Sequence, residues 1–88
     1  MVEFEFDETK SKANAAKHSI DFVAAQALWL DERLIEIPAK TVDEPRWLAI
    51  GTIEGRHYSV VITHRENRIR IISVRRSRAK EVALYESD

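Results

Sequence analysis

The chain has 88 residues, with 14 Lys and Arg against 15 Asp and Glu, 44% hydrophobic residues, a formal net charge of −1 and no cysteine. This describes one small folded unit, expected over residues 1–88, and excludes disulfides, thiolate zinc sites and a thiol nucleophile. Only two glycines are present, so there is no glycine-rich phosphate loop, which argues against ATP- and NAD-dependent chemistry.

Val2 to Phe6 alternates apolar and acidic residues, the pattern of a half-buried strand. Asp7 is placed to cap a helix through about Lys17, in which Ala13, Ala15 and Ala16 favour helix and close packing. Asp21 is placed to cap a second helix from Phe22 to about Trp29. Leu34 to Ile37 reads as a short strand stopped by Pro38, followed by a polar loop over 38–45. Trp47 to Ile53 and Arg56 to His64 form strands joined by the two-residue turn Glu54-Gly55. Glu66-Asn67 turns the chain into a strand from Arg68 to Arg75. Ser77 is placed to cap a last helix through about Glu86, with Ala79, Val82, Ala83 and Glu86 along its inner stripe.

The order β-α-α-β-β-β-β-α predicts an α+β fold. It is an antiparallel β-sheet meander with two N-terminal helices and one C-terminal helix over one face. Period two places Tyr58, Val60 and Ile62 on the covered face, and His57, Ser59, Val61, Thr63 and Arg65 on the open one. In the next strand the same count turns Arg70, Ile72 and Val74 toward the helices and leaves Ile71, Ser73 and Arg75 open. A structural ion pair is the preferred reading of Arg70.

Charge is sorted along the chain. From Arg65 to Lys80, seven cations face one acid, a net +6, so the remaining residues sum to −7. These cations interrupt Ile69, Ile71, Ile72 and Val74, which marks a β-strand rather than a floppy basic tail. Arginines fixed on a sheet suit bidentate binding of phosphate. Phosphate handling on a rigid surface is the first functional expectation.

Two stretches, FEFDETKSKANAAKHSIDFVAA and IRIISVRRSRAKEVALYE, carry a resemblance to a known family. Its specific pieces are Phe6-Asp7, Lys10, Asn14, Lys17-His18 then Phe22, and the Arg70 to Arg75 strand with Glu81 and Tyr85. The match extends through Glu44-Arg46, Ile50-Gly51, Gly55-Arg56 and Val60 to Arg65. These residues resemble the BrnT-type toxins of bacterial type II toxin–antitoxin modules. The resemblance implies a RelE-like microbial ribonuclease fold, RNA cleavage that inhibits translation, and neutralisation by a ribbon-helix-helix antitoxin from an adjacent gene. Operator DNA would be bound only through that antitoxin. Ser19 stands where the family usually has Gly, Pro45 where a charged residue is usual, and Val74 and Ser77 where Ala is common.

RNA cleavage without a metal requires a base for the 2′-hydroxyl, an acid for the 5′-oxygen and fixed cations on the phosphorane. Arg65 and Arg75 are the candidate phosphate clamps, Thr63 a hydrogen-bond donor, and His57 the candidate proton-transfer residue, at the far end of its strand from Thr63 and Arg65. His64, at the turn, is the other histidine of that strand, and a surface position is the plainer reading of both. Lys17, His18, Arg46, Ser73 and Arg76 are the candidate substrate-binding residues. Each has a plainer alternative: Arg65 and Arg75 paired with Glu44 or Glu81, Lys17 and His18 complementing a helix dipole, Thr63 and Ser73 filling strand positions. Tyr85 and Trp47 could stack a base, although core packing suits Trp47 better. His18, His57 and His64 lack metal-ligand spacing, so neither a metal nor another cofactor is expected. An acidic segment of the antitoxin is expected across Arg65, Arg75 and Arg76. MVEFEFDETK lacks the basic-then-apolar run of a signal peptide, and no run is long enough to span a membrane, so the expectation is a cytoplasmic protein. The alternatives are a basic nucleic-acid-binding domain without catalysis and a protein-interaction domain.

Overall fold

The computed structural model describes residues 2–40 and 43–87. Five strands form one mixed sheet: β1 (Glu3–Glu5), β2 (Ile35–Ala39), β3 (Arg46–Ile53), β4 (Arg56–Arg65) and β5 (Arg68–Arg76). The helices are α1 (Glu8–His18), α2 (Phe22–Ala25) and α3 (Ala79–Glu86). The fold is α+β, and the sheet is mostly antiparallel. Among the described residues, no helix is long and apolar enough to cross a membrane.

The strand order is β1-β5-β4-β3-β2, which departs from a pure meander. The first strand lies parallel to β5, with Phe4 opposite Ile69 and Glu5 opposite Arg70. A parallel neighbour needs a long crossover, and the intervening helices and hairpins provide it. The expected strand at Leu34 to Ile37 runs instead from Ile35 through Pro38 to Ala39. Proline is tolerated because β2 is an edge strand, where one side of the backbone has no partner to donate to.

The Asp7 and Asp21 carboxylates accept the Lys10 and Ala24 N–H groups at 3.0 and 2.8 Å, the two expected caps. Ser19 closes α1 in the left-handed region at φ 62, with its N–H on the Ala15 carbonyl at 2.9 Å. The helical stretch expected through Trp29 is one α-turn, Phe22–Ala25, continued as a 3₁₀ turn, Gln26–Leu30. Asn14 fastens α1 to the sheet. Its buried amide donates to the Ile20 and Val74 carbonyls at 2.8 Å each and accepts the Val74 N–H at 3.2 Å. Both its N–H donors and its oxygen are hydrogen-bonded, so a buried amide costs little here.

The main core lies between this helical layer and the sheet, around Phe22, Leu28, Val60, Ile62, Ile71 and Val74. Ile71 was expected on the open face. A bulge between Val61 and Ile62 changes the count: Val61 faces Ser73, whereas Ile62 faces Ile71, leaving Ile72 as the extra residue. The insertion reverses parity for everything before it in β5. Ile71 therefore enters the core, and Arg70 lies with Thr63 and Glu5 on the opposite face rather than under the helices.

The second correction concerns α3, which packs on the other face of the sheet. Ile50 and Tyr85 are buried yet stand outside the main cluster, forming a small second core under that helix. The inner side of α3 is Glu81 and Tyr85, not the predicted stripe, and Ala79 and Ala83 are exposed. Ser77 does not cap it. The Glu81 carboxylate accepts the Arg78 N–H at 2.8 Å, while the Ser77 hydroxyl meets Ser59 at 2.8 Å. Polar anchors hold this helix face: Glu81 and Tyr85 turn inward to Arg75 and Asp31, while Leu84 is left 48% exposed.

Candidate active site at the α3 end of the sheet

Residues paired across a sheet share a face, so the register sets the site. Ile35, Ile50, Ser59 and Arg75 form one row across β2, β3, β4 and β5. Thr52 and His57 form the next row toward the β3–β4 turn. Helix α3 lies over both rows.

Glu81 is the centre of this cluster. Its oxygens accept from Arg75 Nη1 and Nη2 at 2.7 and 2.8 Å, a bidentate pair with side-chain exposures of 24% for Arg75 and 12% for Glu81. The Ser59 hydroxyl donates to the same carboxylate at 2.8 Å. The Arg75 hydrogen bond is the largest cause, outweighing burial, and with the Arg78 N–H and the Ser59 hydroxyl it brings the Glu81 carboxyl down to about 2. Arg75 is raised by the same bond. Arg75 Nη1 also donates to the Arg76 carbonyl at 3.3 Å, and its Nε makes no hydrogen bond among the described residues.

His57 sits beside this pair. Its Nε2 is 2.8 Å from Glu86, and its ring meets the Tyr85 ring edge-on at 5.3 Å. The Ser77 N–H donates to the His57 carbonyl at 3.0 Å. A half-buried imidazole oriented by a carboxylate is equipped for proton transfer near neutral pH. Across the cluster, the Tyr85 hydroxyl reaches Asp31 at 2.5 Å. Burial raises Asp31, but hydrogen bonds from Tyr85, Arg33 and Thr52 outweigh it and hold the carboxyl at about 2.

The other candidates do not converge on this place. Arg65 is six residues from Ser59 along β4, about 20 Å at roughly 3.3 Å per residue, too far to share one phosphate with Arg75. Arg65 pairs with Glu44 at 3.3 Å. Thr63 is buried and gives its hydroxyl to the Pro45 carbonyl at 2.8 Å, which removes it from a substrate's reach. Arg76 faces the helical side, its guanidinium 5.7 Å from the Tyr58 ring centroid. Lys17 and His18 end α1 on that side. Ser73 lies in the row of Leu48 and Val61. Arg46 precedes that row on β3, with its Nε buried and lacking an acceptor. The three cations expected under one antitoxin segment are therefore spread over two faces and both ends of the sheet. Trp47 packs against the core and edge-on to His64. Among the described residues no group of three or more His, Asp and Glu is placed to hold a metal ion.

Sequence reasoning missed Ser59, Asp31 and Glu86 as members of the cluster. Glu81 left a signal, being three residues beyond Arg78 at a helix start, the position of a capping-box acid. Asp31 left none, because its partners Thr52 and Tyr85 are 21 and 54 residues away.

A family model described as "Ribonuclease toxin, BrnT, of type II toxin-antitoxin system" matches residues 6–81. No curated protein matches the chain.

Proposed function

The chain belongs to the BrnT family of ribonuclease toxins of type II toxin–antitoxin systems, so RNA is its substrate and an antitoxin its partner; on that premise we propose metal-independent endonucleolytic cleavage at the α3 end of a RelE-like sheet. In the proposed step the 2′-oxygen attacks phosphorus and the P–O5′ bond breaks. The 2′-proton passes to a base and a proton is delivered to O5′, giving a 2′,3′-cyclic phosphate and a 5′-hydroxyl. The observation that carries this reading is the pairing of His57 with Glu86 one row away from the Arg75–Glu81 pair.

His57 serves as the proton-transfer residue, with Glu86 holding its ring. Arg75 stabilises the phosphorane through its Nε edge while Glu81 fixes the guanidinium plane; this division uses the donors Glu81 leaves over. The Arg75–Glu81 pair has no net charge, so Arg76 and Arg78, between its two members in the chain, supply the attraction for the RNA backbone. Lys17 and His18 act as outlying contacts on a longer RNA, and Arg46, Ser73, Arg65 and Thr63 have no part in the chemistry. The rest of the reading is a cytoplasmic protein that arrests translation, with a ribbon-helix-helix antitoxin from the adjacent gene that also carries operator DNA.

The test is incubation of the purified chain with RNA in excess EDTA, followed by end analysis. Cyclic or 3′-phosphate products with 5′-hydroxyl ends are expected. Strict dependence on added divalent metal, or 5′-phosphate ends, would refute the mechanism.

A further inference from the structure

The face carrying the proposed active site is only half covered. Beyond the row under α3 comes a row of Ile37, Leu48, Val61 and Ser73, one residue from each of four strands. Ile37, Leu48 and Val61 are half-buried and none belongs to the core or packs against it. They form an aliphatic strip running across the sheet to its free edge at β2, with α3 as a wall on one side.

On the other side the strip meets cations. Arg70 is 3.0 Å from Glu5, and Arg65 is paired with Glu44. Arg46 differs: it lies two residues before Leu48 on the same strand face, and among the described residues it has no ion pair, while its buried Nε has no acceptor. An aliphatic strip ending on a guanidinium that has no ion pair among the described residues is complementary to an amphipathic segment with aliphatic residues on one side and a carboxylate at its margin. RNA is a poorer fit, because bases stack on aromatic rings and this strip has none.

We propose that the antitoxin neutralises this chain by laying such an acidic amphipathic segment along Ile37, Leu48 and Val61, with a carboxylate on Arg46. The segment lies alongside α3 and blocks the approach to His57 and Arg75 without contacting them. This rests on the toxin reading above.

The experiment uses the full chain co-expressed with the product of the adjacent reading frame. Val61→Glu, Ile37→Glu and Arg46→Glu are compared with the unaltered protein for complex affinity. Cleavage of RNA by the free chain is followed for the two aliphatic variants. Each variant is expected to weaken the complex by at least ~30-fold, and Val61→Glu and Ile37→Glu should still cleave RNA in the presence of the antitoxin. Ile37→Glu, on the edge strand, carries the test if Val61→Glu unfolds. Unchanged affinity in Ile37→Glu overturns the proposal. So does loss of cleavage with the complex intact, which would give the strip to RNA, and so does a dimer of the free chain that Ile37→Glu dissolves. An unaltered chain that forms the complex but cleaves no RNA would refute the ribonuclease mechanism and leave the docking result readable.

Discussion

Asp31 Oδ2 takes the Tyr85 hydroxyl at 2.5 Å, the Thr52 N–H at 2.8 Å and the Thr52 hydroxyl at 3.1 Å. One carboxylate oxygen thereby joins the turn after the 3₁₀ segment, the edge of β3 and the last helix. The relationship gives α3 a fixed seat, and with it the position of Glu81 and Glu86 over the sheet.

Tyr85→Phe should loosen that seat while keeping the aromatic ring edge-on to His57. Loss of one hydrogen bond to a charged acceptor costs roughly 1.5–3 kcal/mol. For a domain of this size that lowers the melting temperature by about 4–8 °C per kcal/mol. Thermal unfolding followed by circular dichroism reads it directly. A melting point equal to that of the unaltered chain would mean that Thr52 and Arg33 satisfy Asp31 without Tyr85.

Arg75 has two tasks, and two substitutions separate them. Arg75→Lys keeps a charge near Glu81 but cannot form the bidentate pair, so cleavage should fall about 10²-fold. Its melting point should fall by a few degrees only. Arg75→Ala leaves the Glu81 carboxylate, 12% exposed, without its partner and should also cost on the order of 2–3 kcal/mol of stability. If Arg75→Lys cleaves RNA normally, Arg75 only anchors α3.

His57→Gly should reduce cleavage by about 10²- to 10⁴-fold, the usual contribution of a positioned acid or base. Added imidazole should restore part of the rate, because the vacated space beside Glu86 accepts it. Glu86→Gln should give a smaller loss, on the order of tenfold, by releasing the ring. Failure of both variants to change the rate removes His57 from the mechanism.

Acid should unfold the protein through two carboxylates. Asp31 and Glu81 both lie at about 2, below their usual 3.8 and 4.5. A depressed carboxyl contributes stability that is complete above its unfolded value and disappears as pH falls through its folded value. The free energy of urea unfolding should therefore be flat above about pH 5 and decline from about pH 4.5 toward 2. Glu81 alone accounts for roughly 2–3 kcal/mol of that decline at about 1.4 kcal/mol per pH unit. Glu81→Gln should flatten this part of the curve; an unchanged slope would show that Glu81 binds protons alike in the folded and unfolded chain and would refute its part in acid unfolding.

Ser19→Gly should stabilise the chain. Ser19 holds φ 62 with a side chain that disfavours it, and glycine at such a helix end relieves strain worth up to about 1 kcal/mol. A higher urea midpoint with unchanged slope is the expected reading.

The strands and first two caps were legible because each depends on residues within a few positions, as with Asp7 and Lys10 or the alternation in β4. What sequence periodicity missed came from single events with distant causes. One inserted residue at Ile72 reversed the faces of Arg70 and Ile71, and no local pattern announces a bulge. The layer of α3 was set by Glu81 and Tyr85 reaching Arg75 and Asp31, whereas an apolar stripe was the only signal being counted. The candidate site fared likewise. Residue types marked out His57 and Arg75, and position along β4 already set Arg65 at the far end from His57; what the register added was the row of Arg75 next to that of His57.

The parallel pairing of β1 with β5 has a consequence for synthesis. Glu5 and Arg70 are 65 residues apart, so β1, once it leaves a ribosome, must wait for β5 before it can be hydrogen-bonded to it. At about 5–20 residues per second, that wait is several seconds. Arg75, Glu81 and Glu86 emerge later still, and His57 acquires its carboxylate only after α3 has cleared the exit tunnel. A nascent chain of this topology is therefore chemically incomplete until α3 is free to fold back onto the sheet.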